Sequence, residues 1–111
     1  MFDITEADIQ LVIEKHVLSR NPLTFKSIPV KEKRKYIMIS MIIHHFEKGM
    51  TYTEKDVNAI LKPMVEDYVL IRRYLIDYQF MSRTPDGKAY WLSTELEQFQ
   101  RYNLNAEHQV D

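Results

Sequence analysis

Two neighbouring arginines, Arg72 and Arg73, stand inside the apolar run DYVLIRRYLIDY. A guanidinium presents a planar fork of donors that matches the O6 and N7 acceptors of guanine in the DNA major groove. Tyr68, Ile71, Leu75 and Tyr78 recur at i, i+3, i+7 and i+10, which on a helix makes one face. Val69 and Arg73 then look elsewhere, largely toward solvent. Arg72 lies beside the stripe: it can join Val69 and Arg73 in reading bases, or pair with Glu66, Asp67 or a neighbouring helix and only orient the domain. A second group of cations, KEKRK, places Lys31, Lys33, Arg34 and Lys35 at a helix start, where positive charge opposes the helix dipole and a bound phosphate would relieve it. Lys55 opens another helix, and Arg83 and Lys88 flank a turn. All of these are phosphate-contact candidates. Each has a plainer reading too: KEKRK as a solvated helix start, Arg83 and Lys88 as solubility residues of a hairpin. Glu66 and Asp67 repel phosphate if both face outward.

Other chemistries fit less well. His44 and His45 are adjacent, so on a helix they point about 100° apart and cannot readily share an ion. A zinc-protease helix needs its histidines four apart with a glutamate between them, and Glu47 does not supply that. His16 can approach only if the first helix packs on the second. Asp67 and Asp77 would sit about 15 Å apart along one helix axis, too far for a confined acid–base pair. The absence of cysteine excludes disulfides, thiolate metal sites and cysteine nucleophiles, and two glycines leave no room for a phosphate-cradling loop. The expectation is no catalytic residue, no metal and no cofactor. Seven tyrosines and five phenylalanines suit base stacking, but aromatics at helical spacing more often belong to a core.

The elements that must position these groups follow from periodicity and punctuation. A first helix is expected over residues 5–19, capped by Thr5 with Asp8 three residues on and stopped by Asn21-Pro22. Residues 25–29 read as an extended connector. A second, largely apolar helix starts at residue 30 or 31 and runs to 47, with Ile39, Ile42, Ile43 and Phe46 deepest, and Gly49 stops it. A short extended piece at 50–52 precedes a helix over 54–62, capped by Thr53 and limited by Pro63. The arginine-bearing helix covers 65–78. A hairpin follows over 80–92, turning at TPDG, with Gly87 in the left-handed step and Trp91 covering a seam against the helices. A last helix is expected over 95–102, with Leu96 and Phe99 packed, and a frayed end beyond Asn103.

A chain of 111 residues and 13.4 kDa is one domain. The formal net charge is -1, but residues 26–90 hold twelve bases and eight acids between two acidic ends. Such a basic middle permits a nucleic-acid contact without demanding one. The start, Met1-Phe2-Asp3, leads into no secretion signal, and the longest apolar run is broken by His44, His45 and Lys48, well short of the roughly 20 residues that span a bilayer. A cytoplasmic protein with no membrane contact is expected.

Long helix, extended piece, short helix, second helix, hairpin is the order of a winged helix-turn-helix. The expected fold is therefore α+β: a winged helix-turn-helix over residues 25–92, an accessory N-terminal helix over 1–24, and a short C-terminal helix with a tail over 93–111. Within it, IPVKEKRKYIMI, YTEKDVNAIL, DYVLIRRYLIDYQFMSR and PDGKAYW resemble, in order and spacing, a bacterial family known as domain of unknown function 2087. The family's Asp-Tyr pair falls on Asp67 and Tyr68, and its Arg-Arg pair on Arg72 and Arg73. This chain departs at Gln79, where glycine is usual, at Ile71, where leucine is usual, and at Ile76, where valine is usual. The resemblance implies a fold like that of winged-helix transcriptional regulators, and some members of the family carry a separate helix-turn-helix ahead of this domain. The combined expectation is a double-stranded DNA-binding regulator, a homodimer through its terminal helices. The alternative is a non-enzymatic interaction or dimerisation module on the same scaffold.

Overall fold

A computed structural model of the chain describes residues 2–105. The architecture is α+β. Helices α1 (Glu6–His16), α2 (Glu32–Ile42), α3 (Glu54–Leu61) and α4 (Tyr68–Asp77) combine with two small antiparallel sheets, β1 (Val17–Arg20) with β2 (Leu23–Phe25) and β3 (Met81–Arg83) with β4 (Tyr90–Leu92). Among the described residues no helix is long and apolar enough to cross a membrane.

The core forms around α2. Ile37 to Ile43 are all buried, and the one polar side chain among them, Ser40, donates its hydroxyl to the Tyr36 carbonyl at 2.7 Å, so no polar atom is stranded. The expected deepest positions, Ile39, Ile42, Ile43 and Phe46, are indeed buried. The helix is shorter than its composition suggests, because it tightens into a 3-10 turn at Ile43–His45 before Gly49 turns the chain with φ 90°. Both threonine caps form as reciprocal boxes. Asp8 N–H donates to Thr5 Oγ1 at 3.2 Å and Asp56 N–H to Thr53 Oγ1 at 3.0 Å, while each aspartate accepts from the cap amide at 2.9 Å.

The ends of the chain differ from expectation. The first helix stops at His16, not at residue 19, and the following residues pair with Leu23, Thr24 and the first residue of the expected connector, Phe25: β1 and β2 are a hairpin turning at Asn21 and Pro22. Its cause is alternation. Leu23 and Phe25 face the core while Thr24 between them is partly exposed, and Lys26 N–H caps the freed His16 carbonyl at 2.9 Å. Strand β2 straddles the boundary expected between residues 24 and 25. At the other end, Leu96–Tyr102 is a 3-10 stretch with a non-helical Phe99, not an α-helix. Phe99 leaves helical geometry as its ring packs 5.1 Å from that of Phe80 and its carbonyl bonds His44 Nε2 at 2.7 Å. Leu104, past the expected end of order, is buried. The frayed end expected beyond Asn103 extends over residues 106–111, which lie outside the described residues.

Both terminal segments are used by the molecule itself. Ile9 and Val12 of α1 are buried in the core, Lys33 of α2 meets Asp8 at 3.0 Å, and Arg101 reaches Glu6 at 3.1 Å.

Between α2 and the β3–β4 hairpin the order follows expectation. Tyr52 exchanges two backbone hydrogen bonds with Tyr90, at 2.8 and 2.7 Å, adding a single-residue third strand beside β4. The hairpin turns through Thr84–Gly87, closed by the Gly87 amide on the Thr84 carbonyl at 2.9 Å, with Gly87 at φ 74°. Trp91 does not cover a seam: Tyr90 and Leu92 take the inward positions of the pleat, so Trp91 between them faces out.

Candidate functional site

Helix α4 begins at Tyr68, later than expected, because Asp67 caps it, accepting from Leu70 N–H at 3.3 Å, while Met64 and Val65 are buried in the turn before it. It ends in a left-handed stop. Gln79 at φ 65° sends its amide to the Ile76 carbonyl at 2.9 Å, and Phe80 N–H reaches the Leu75 carbonyl at 3.0 Å. With both ends defined, its faces are too. Ile71 and Leu75 are fully buried, and Val69 is 50% exposed on the opposite side. On one flank the Tyr78 hydroxyl donates to Glu32 of α2, and Lys35 lies 5.1 Å over the Tyr74 ring. On the other flank stand α3 and the hairpin.

That second flank holds a groove of about 620 Å³. Val69, Arg72 and Arg73 line it from α4, and Arg83 and Tyr90 line it from the hairpin. The acids Glu54, Asp67 and Asp77 line it as well, so three guanidinium groups face three carboxylates.

The arginines are not equivalent. Arg73 is 76% exposed, and its one ion pair is a loose one, 3.8 Å to Asp77 a turn further on. Arg72 is 19% exposed, donates to Asn58 Oδ1 on α3, and stands 3.9 Å from Glu54. Arg83 is exposed and folds over the turn, its Nη1 3.4 Å from the Thr84 carbonyl. A side chain at Gly87 would place its Cβ 3.2 Å from that nitrogen, so the guanidinium would have to shift by a few tenths of an ångström, and the φ of 74° there favours glycine in any case.

The remaining candidates are spread out. Lys55 and Lys88 are exposed, at the start of α3 and on the hairpin turn. Lys31 is exposed just ahead of α2. Lys33 turns toward Asp8 on α1, and Lys35 is held by Glu32 at 3.1 Å as well as by Tyr74. Arg34 is half-buried and close enough to His16 to help keep that imidazole below its ordinary pKa, burial being the larger cause. The structure thus brings Val69, Arg72, Arg73 and Arg83 into one groove, and it leaves Lys33 and Arg34 on the α1 side of α2.

Sequence reasoning missed Glu54, Asn58 and Tyr90 as parts of this site. Glu54 and Asn58 stand four apart, on one face of a short helix, a spacing visible in the sequence, but their meeting with Arg72 joins residues 14 to 18 apart across two helices. His44 and His45 sit half-buried at the core edge, both held below the ordinary imidazole pKa by burial. Among the described residues no group of three or more histidine, aspartate or glutamate side chains is placed to hold a metal ion.

These features define a small α+β domain that presents arginines from a helix and from a hairpin on one groove. The family model described as "Uncharacterized protein conserved in bacteria (DUF2087)" matches residues 24–92, and the chain belongs to that family. The match runs from inside β2 through α2, α3 and α4 to the end of β4, and contains the whole groove. No curated protein and no solved structure matches the chain.

Proposed function

We propose that this is a winged helix-turn-helix domain that binds double-stranded DNA as a transcriptional regulator, with α4 as its recognition helix and the β3–β4 hairpin as its wing. The order α2, Tyr52, α3, α4, hairpin supports the winged reading, as does the pairing of Tyr52 with the second hairpin strand. The observation that carries the DNA reading is that Arg73 and Arg83, from two separate elements, line one groove beside an exposed Val69. Arg73 has the reach to fork onto a guanine edge, and Val69 can meet a thymine methyl. Arg83, Lys88 and Lys55 provide phosphate contacts around that reader.

Lys33 and Lys35 are held in surface ion pairs, which contribute little and which a phosphate can displace. Lys33 nevertheless faces α1 and contributes at the margin. No chemical step, metal or cofactor enters this reading, and the protein would act in the cytoplasm, where bacterial DNA lies. Operators with two-fold symmetry call for two copies. Ile9 and Val12 are spent on the chain's own core, so a homodimer through the terminal helices would have to use their outer faces.

One observation favours a second reading, a protein-interaction module. Glu54, Asp67 and Asp77 balance the three arginines of the groove, a lining that fits a partner surface of mixed charge. Fluorescence anisotropy on mixed genomic fragments at low salt separates the two. Saturable binding that Arg73→Ala weakens by about tenfold, the loss of one good base contact, supports the DNA reading. No detectable binding by the intact chain ends it.

A further inference from the structure

We infer that Arg72 is a positioning residue, and that Asn58, Glu54, Arg72 and Tyr90 form a polar brace that sets the width of the groove between recognition helix and wing. The inference rests on the DNA-binding reading and assigns work within it to four residues that touch no base. Arg72 sends one arm to Asn58 Oδ1 and stands 3.9 Å from Glu54 with the other. Glu54 also accepts from the Tyr90 hydroxyl at 3.4 Å. The four side chains therefore join α4 to α3, and α3 to β4.

Each anchor is itself fixed. Glu54 opens α3 one residue after the Thr53 cap, and Tyr90 is buried and bonded through its backbone to Tyr52 on both sides. A Cβ at Gly87 would lie 3.9 Å from Glu54 and 3.2 Å from the Arg83 guanidinium, so the brace ends beside the arginine that the wing presents. The planar guanidinium holds its amide-oxygen and carboxylate partners in fixed, diverging directions, whereas an ammonium is a compact charge on a flexible stem and would not fix the two elements at that spacing. To reach a base, Arg72 would have to leave both partners, whereas Arg73 gives up one loose contact. The two neighbours therefore divide the labour: Arg73 reads, and Arg72 holds the reader at a fixed distance from the wing.

The test compares DNA affinity and its salt dependence in the intact chain for wild type, Asn58→Ala, Tyr90→Phe, Arg72→Ala, Arg72→Lys and the Asn58→Ala/Arg72→Ala double variant, with Arg73→Ala as the reader control. Thermal melting confirms that each is folded. The brace predicts that Asn58→Ala and Tyr90→Phe weaken binding by about fivefold, and that the double variant is no worse than Arg72→Ala, the coupling expected of residues in one network. It predicts that Arg72→Lys fails to restore affinity and that the salt slope stays at the wild-type value throughout. A slope that falls by about 0.9 in Arg72→Ala makes Arg72 a phosphate contact and overturns the inference. So does unchanged affinity in Asn58→Ala and Tyr90→Phe, whatever their melting temperatures. If those variants bind normally while Arg73→Ala still loses affinity, only the brace falls; if wild type binds no DNA, the DNA reading falls and takes the brace with it.

Discussion

Truncating Leu75 and truncating Val69 should have very unequal consequences for stability, although both are branched aliphatic residues on the same helix. Leu75 is 1% exposed and packs on the core side of α4; Val69 is 50% exposed on the groove side. Leu75→Ala removes a buried isobutyl group and leaves a cavity that the neighbouring side chains fill only in part, a loss of about 3 kcal/mol within the usual range of 2–5. For a domain of this size each kcal/mol lowers Tm by about 4–8 °C, so the expected drop is about 12–24 °C. The total stability of such domains, about 5–15 kcal/mol, leaves the variant folded at room temperature. Val69→Ala removes atoms already in water and should stay within about 0.5 kcal/mol of wild type. Urea unfolding followed by circular dichroism measures both, with the m-value as a check that two-state behaviour is kept. A Val69→Ala variant destabilised as much as Leu75→Ala, or a Leu75→Ala variant with an unchanged midpoint, would mean that α4 is turned differently, and Arg73 would then lose its place on the exposed face.

Replacing Thr53 by alanine opens the α3 capping box and should cost about 1 kcal/mol at unchanged m-value, read from the same urea curves. Gln79→Gly should stabilise by about 1 kcal/mol, because Gln79 sits at φ 65°, where a side chain is strained and glycine is not. The stability of the fold should fall on acidification below about pH 6.5. His16, His44 and His45 all have pKa values below the ordinary imidazole value in the folded chain, with burial the largest cause, so the unfolded chain takes up protons first; their contribution is complete above the unfolded pKa and is lost as pH falls through the folded ones. Melting temperatures across pH 5–8 for wild type and a His44→Gln/His45→Gln variant check this, and the variant should show the shallower decline.

Much of the scaffold is legible in residues that act on near neighbours. Both capping boxes, the Gly49 stop and the Gly87 hairpin turn depend on contacts within a few positions, and the two faces of α4 follow from the spacing of Ile71 and Leu75. What escapes is decided at longer range or in shorter pieces. The β1–β2 hairpin has only Leu23 and Phe25 to announce its alternation. The C-terminal stretch reads as an α-helix until Phe99 packs on Phe80 and bonds His44, two partners far from it in sequence. Trp91 reads by type as the cover of a seam, and only the pleat turns it outward. In the groove, Arg73 and Val69 are legible as the exposed residues of a helical face. The commitment of Arg72 to α3 is not, because the sequence leaves base reading and domain orientation equally open until Asn58 and Glu54 are seen beside it. KEKRK reads as one basic cluster, yet helical geometry sends Lys33 toward α1 and Lys35 toward α4.

The central claim, that α4 and the hairpin present one surface to duplex DNA, is tested most directly by the salt dependence of binding by the intact chain. Lys55, Arg83 and Lys88 are the exposed cations assigned to phosphate on that surface, and each displaces about 0.9 of a counterion, so affinity should fall about 40-fold between roughly 50 and 200 mM salt. Arg83→Ala should flatten that dependence by about one third, and Lys33→Ala, on the α1 side, should leave it nearly unchanged. Binding that ignores salt, or that Lys33→Ala weakens more than Arg83→Ala, would contradict the account.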